Sequence, residues 1–171
     1  MMMFNKCSQT HAAMRILAID PGYDRLGIAV VEGNASRPVL VWSDCVEPEK
    51  GSGSERLSHV SRAVTEAIVK YTPDAVAIET LFFSINKKTA FGVAEARGAI
   101  LAAAGIASLP VMEYSPQQIK SAVTGHGGAD KKAMARMIPM LIALPKKKRL
   151  DDELDAIGIG ITALARSRNP Q

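Results

Sequence analysis

The chain has 171 residues, 47% of them apolar, and 21 basic against 17 acidic side chains give it a formal charge of +4. That length suits one compact domain with a single substantial core, and the mild basic excess suits a polyanionic partner without requiring one. No stretch approaches the ~20 apolar residues of a membrane span, and the first 14 residues lack the apolar run and cleavage pattern of a secretion signal, so no membrane association and a cytoplasmic location are expected. Cys7 and Cys45 lack the C-x-x-C spacing of a redox or zinc site and read as reduced thiols. Met14 immediately precedes the first strand-like run, so residues 1–14 read as a poorly ordered N-terminal extension and residues 15–171 as one domain.

Arg15 to Asp20 is a short apolar run stopped by Pro21-Gly22, the pattern of a buried strand ending at a turn. Gly27 to Glu32 forms a second strand. After a turn at Asn34 to Ser36, Pro38 to Val46 forms a third, which makes an antiparallel meander. Beyond a polar stretch from Glu47 to Ser54, the residues Leu57, Val60, Val64, Ile68 and Val69 recur at helical spacing as far as Tyr71. Asp74 to Glu79 is another apolar strand that, like the first, ends on a carboxylate. A helix rich in small residues follows from Lys88 to Gly105, then a strand from Leu109 to Glu113. Three helices close the chain, at Pro116 to Val123, Lys131 to Leu144 and Asp152 to Arg166, with glycine-rich and basic loops (Gly125 to Gly128, Pro145 to Arg149) between them. This order describes an α/β domain with a mixed five-stranded sheet flanked by helices, the arrangement of the ribonuclease-H-like fold.

Asp20 and Glu79 sit at the C-terminal ends of two apolar strands, the sheet edge where ligand sites form in open α/β folds. If those strands are neighbours, the carboxylates converge. In the segment Leu150 to Asp155, Asp152 and Asp155 are three apart and share one face at the start of the last helix; Asp151 also shares a face with Asp155. With Leu154, Ile157, Ile161 and Leu164 defining the buried side, Asp152 and Asp155 border it and Glu153 is expected to face solvent. Carboxylates gathered in one concavity repel one another unless a divalent cation neutralises them, and an oxygen-only donor set suits magnesium or manganese rather than zinc. Turn chemistry alone accounts for Asp20-Pro21-Gly22, and the helix dipole alone for acids in a first turn. The combination asks for more, Glu79 above all, because a charge ending so apolar a strand is costly without a partner.

With Ala-Ile-Asp20-Pro-Gly, Ala-Ile-Glu79, Glu95-Ala-Arg97-Gly98 and Asp152-Glu-Leu-Asp155-Ala in this order and spacing, the chain resembles the RuvC-type Holliday junction resolvases from about Arg15 to Ala165. The resemblance implies that Asp20, Glu79, Asp152 and Asp155 bind two Mg2+ ions, with Mn2+ able to substitute, and it selects Asp152 over Asp151. It further implies that Phe82 stacks on bases opened at the junction centre, and that Lys120 and Lys131 contact DNA phosphate, with Lys132 competing for the second role. The activity implied is symmetric paired nicking of four-way DNA junctions by a homodimer, in recombination and repair, alongside a branch-migration helicase complex. The small-residue helix is the expected two-fold interface, since a C2 dimer places two sites on equivalent strands. Lys146 to Arg149 reads either as an added phosphate contact or as a solvated loop, and His126 as a loop residue.

Three other functions fit parts of the pattern. An ATP-binding domain of the actin and sugar-kinase type shares the Asp-x-Gly hairpin but needs two such domains and an adenosine motif. A nuclease of the same fold that trims ribosomal RNA precursors is a second; the Phe82 region and the Asp152/Asp155 pair favour the resolvase, and substrate tests separate the two. A DNA-binding module without catalysis would not need intact carboxylates.

Overall fold

A computed structural model describes residues 13–22, 24–48, 51–81 and 87–167. Strands β1 (Met14–Pro21), β2 (Leu26–Asn34) and β3 (Arg37–Val46) form the antiparallel meander. Helix α1 (Gly53–Tyr71) carries the chain to β4 (Ala75–Glu79), which lies parallel to β1, and α2 (Lys87–Ile106) carries it to β5 (Val111–Tyr114), parallel to β4. The strand order is β3-β2-β1-β4-β5. Helices α3 (Pro116–Thr124), α4 (Lys131–Leu141) and α5 (Asp151–Arg166) complete the described structure. The sheet is therefore the mixed, helix-flanked one that the pattern of apolar runs leads one to expect.

Successive residues of β1 serve opposite layers because strand side chains alternate between faces. Ile16 and Ala18 join Val31, Ala77, Ile138, Ile157 and Leu164 on the side of α3 to α5, whereas Leu17 and Ile19 join Ile28, Val30, Ile78, Val64 and Ile100 on the side of α1 and α2. Central strands covered on both faces need apolar residues at every position, which is why β1 and β4 read as unbroken runs. Each fully buried Ile or Leu contributes about 1.5–3 kcal/mol. Helix α5 comes especially close to the sheet: a β-carbon on Gly160 would stand 1.9 Å from Val31 Cγ2.

Three details depart from the sequence reading. Helix α1 begins a turn before its apolar periodicity, because Ser52 caps it in a reciprocal box with Glu55 and the first turn needs no core contact. Helix α4 ends at Leu141 instead of Leu144, with Pro139 in its last turn and Ile142 already extended. The largest correction is Glu153. It does not face solvent but is only 3% exposed, since β3 and the 145–149 segment cover a face of α5 that a helical wheel by itself leaves open.

Candidate active site

Ile19 of β1 lies beside Ile78 of β4 in parallel register, so the next residue on each strand, Asp20 and Glu79, emerges at the same end of the sheet. Gly27 of β2 is the antiparallel partner of Asp20. Without a side chain there, the first turn of α5 passes directly over β2: a β-carbon on Gly27 would fall 1.9 Å from the Asp152 carbonyl oxygen and 3.3 Å from Asp20 Cβ. That approach delivers Asp152 and Asp155 to the edge already holding Asp20 and Glu79. Helix α2 fixes the other side. The buried Arg97 donates from Nη1 to the Glu79 carbonyl oxygen at 2.8 Å and from Nη2 to the Glu113 carboxylate, clamping the ends of β4 and β5 together.

The four acids share one electrostatic field. Burial pushes Asp20 up to about 8, reinforced by Asp155, Glu79 and Asp152 in that order and opposed by Lys131. Burial and then Asp155 push Glu79 up to about 7, against Lys120 and Lys131. Asp155 is raised too, by burial first, with Lys131 opposing and Asp152 and Asp151 adding to the rise. Both causes disfavour the charged form, and both would be relieved by a cation placed among the acids. Among the described residues, no group of three or more histidine, cysteine, aspartate or glutamate side chains is gathered tightly enough to hold a metal ion as it stands. The donors are nevertheless hard oxygens around a deficit of positive charge, which fits magnesium or manganese.

Cations approach this group from several sides. Lys131 Nζ stands 3.9 Å from Asp155 Oδ2, and both residues line a cavity of about 190 Å³ together with Lys132, Asp151 and Leu154. Of the two competing lysines, Lys131 is the one that pairs with the acids. Arg25 Nη1 lies 3.5 Å from Asp152 Oδ2 while its Nε faces Glu47 at 3.3 Å. Arg25 and Gly27 went unnoticed in the sequence, because an arginine in a hairpin and a glycine in a strand carry no local mark of what crosses above them. Arg97 belongs to a motif already singled out, but only the fold reveals that it holds Glu79. Phe82 lies outside the described residues. His126 is an exposed loop residue whose Nδ1 accepts the Gly128 backbone N–H at 3.1 Å.

Within the basic run 146–149, Lys146, Lys147 and Lys148 are exposed and Arg149 half-buried, and two of the four pair with Glu153. Lys147 Nζ reaches Glu153 Oε1 at 2.7 Å and the Ser43 carbonyl oxygen at 2.8 Å. Arg149 Nε lies 3.3 Å from the same carboxylate oxygen, out of hydrogen-bond alignment, and its side chain is only 7% exposed.

Residues 16–163 match the family model described as crossover junction endodeoxyribonuclease RuvC. The chain belongs to the RuvC family. A curated RuvC from Brevibacillus brevis is 45% identical over 152 residues, covering 87% of this chain and 90% of the relative, and one from Moorella thermoacetica is 40% identical over 149 residues, covering 86% and 89%. The solved structure of T. thermophilus RuvC in complex with Holliday junction substrate superposes with a TM-score of 0.84 at 34% identity, covering 91% of this chain and 95% of that one. RuvC membership makes this chain an endodeoxyribonuclease, a hydrolase acting on DNA, with the ribonuclease-H-like fold, and sets aside the ATP-binding and ribosomal RNA alternatives. Asp20, Glu79, Asp152 and Asp155 all lie within the matched range 16–163. Among the described residues, no helix is long and apolar enough to cross a membrane.

Proposed function

We propose that this chain resolves four-way DNA junctions by symmetric nicking as a homodimer, with Asp20, Glu79, Asp152 and Asp155 holding two Mg2+ ions, for which Mn2+ can substitute. The observation that carries this reading is the position of Asp20, half-buried at a strand end with three further carboxylates in its field and its pKa raised to about 8. A pair of such ions supplies a deprotonated water and charge neutralisation at the scissile phosphate. The chain's own residues do the rest. Asp20 and Glu79 present oxygens from fixed strand ends, Asp152 and Asp155 from the first turns of α5, and Lys120 and Lys131 meet the phosphate backbone beside the acids. Phe82, three residues beyond Glu79, stacks on bases opened at the junction centre.

Helix α2 supports the dimer. Its inner face, with Ala96, Ile100, Ala103 and Ala104, packs on the sheet, while Phe91 is 77% exposed and a β-carbon on Gly98 or Gly105 would meet nothing within 4 Å. An outward face this small and apolar suits close two-fold approach of a second copy. The enzyme would act in the cytoplasm, where a branch-migration helicase complex moves the junction to it. The test is cleavage of four-way junction, duplex DNA and structured RNA in Mg2+. Paired nicks in the junction alone, abolished by Asp20→Asn, are expected; equal cutting of all three substrates would overturn junction selectivity, and only monomers in light scattering with and without DNA would overturn the dimer.

A further inference from the structure

Glu153 is placed where a carboxylate has the least reason to be. It lies between Asp152 and Asp155 in sequence, is 3% exposed, and its Oε1 accepts from the Ser43 hydroxyl at 2.5 Å and pairs with Lys147 Nζ at 2.7 Å, while Arg149 Nε stands 3.3 Å away without a hydrogen bond. Arg149 donates from Nη1 to the Pro145 carbonyl oxygen at 2.8 Å, which folds the basic segment back on itself. Lys147 keeps 42% of its side chain exposed, but the buried Glu153 carboxylate and Arg149 guanidinium make a poor source of stability, because desolvation cancels most of their attraction. What the cluster does accomplish is to fix the positions of two cations beside the first turn of α5, the turn that also carries Asp152.

We infer that Glu153 is a positioning residue that sequesters Lys147 and Arg149, keeping both cations off the neighbouring carboxylates so that these stay available to a metal ion. The inference rests on the metal-binding reading of the four acids. Asp152 is the acid most exposed to such competition. It is adjacent to Glu153, it already has Arg25 at 3.5 Å, and Cys45 of β3, two residues from Ser43, approaches the same Oδ2 at 4.0 Å. The cluster holds two cations and one carboxylate. Deleting Glu153 doubles its net positive charge from +1 to +2 and releases a flexible lysine within reach of the first turn of α5. A loose ammonium there pairs with Asp152 or Asp155 and must be displaced before a divalent ion can enter. The same clamp leaves Lys146 and Lys148 exposed on the outer side of the segment.

The test is titration of MgCl2 into metal-free full-length protein by calorimetry, with melting in EDTA recorded for every variant. Glu153→Leu and Glu153→Gln are expected to weaken Mg2+ binding roughly 10- to 100-fold, the range found when groups surrounding the ligands are removed. The variant combining Glu153→Leu with Lys147→Met and Arg149→Met removes the freed cations and is expected to recover most of that affinity, a rescue that a merely structural role would not give. Folded Glu153→Gln protein with wild-type affinity, or a triple variant no better than Glu153→Leu, would overturn the inference. Wild-type protein that takes up no Mg2+ would overturn the metal reading and this inference with it, whereas equal affinities in wild type and Glu153→Leu would overturn the inference alone.

Discussion

Gly27 and Asp152 touch through their backbones: the position a β-carbon would occupy on Gly27 is 1.9 Å from the Asp152 carbonyl oxygen. The contact joins the partner strand of Asp20 to the helix that carries the other two acids, so the spacing of the whole site depends on one missing methyl group. No rotamer change can relieve such a clash, because the obstructing atom belongs to the main chain.

Gly27→Ala is therefore expected to push the start of α5 away from β2, with a loss of about 1–3 kcal/mol in stability, as for other overpacked sites. Single-turnover junction cleavage should fall roughly 100-fold, because a displacement near 1 Å of a catalytic group has that effect. Chemical denaturation and cleavage rates on the same preparation check both parts. A variant that cuts at the wild-type rate would show that α5 does not set the geometry.

Arg97 makes a second prediction. Its guanidinium serves the Glu79 carbonyl oxygen and the Glu113 carboxylate at once, which a lysine cannot do with comparable geometry. Arg97→Ala should destabilise the protein by about 1–3 kcal/mol, leaving the part-buried Glu79 carbonyl without its donor. Arg97→Lys should remain folded but lose cleavage activity more than junction affinity, because the end of β4 loses its fixed position while the DNA-facing surface is unchanged. Binding by fluorescence anisotropy, set against the cleavage rate, separates the two effects. A proportional loss of both would assign Arg97 to DNA binding instead.

The third prediction concerns pH. Asp20 and Glu79 are raised to about 8 and about 7. In the metal-free protein the folded state therefore holds protons that the unfolded chain has already released above about pH 4, near the ordinary carboxylate values. Their contribution to stability is fully present below that pH and is lost as pH rises through 7 and 8. The melting temperature in EDTA should fall between pH 5 and pH 8.5, and Mg2+ should restore it most at the alkaline end, where the ion replaces the lost protons. Mg2+ affinity and cleavage should rise over the same interval. Asp20→Asn removes the larger part of the metal-free decline. A melting temperature in EDTA that climbs through this range would contradict the burial of the acids.

The sequence by itself determined the sheet and singled out Asp20 and Glu79, while for the last helix it offered Asp151 or Asp152 beside Asp155, a choice made by the family resemblance. Strands covered on both faces must be apolar throughout, so the carboxylates that end β1 and β4 stand out against their runs, and the spacing of Asp152 and Asp155 places them on a single helical face. What only the tertiary structure decided were the contacts between elements far apart in the chain. Gly27 is an unremarkable strand glycine until α5 crosses it, Arg97 an ordinary helical arginine until β4 ends beneath it, and Glu153 a solvent-facing acid until Ser43, Lys147 and Arg149 close over it. Periodicity reports which side of an element is apolar, because that depends on neighbours within one or two turns. It carries no record of what another segment brings to the remaining side, and there the site's close approaches and charge balance are settled.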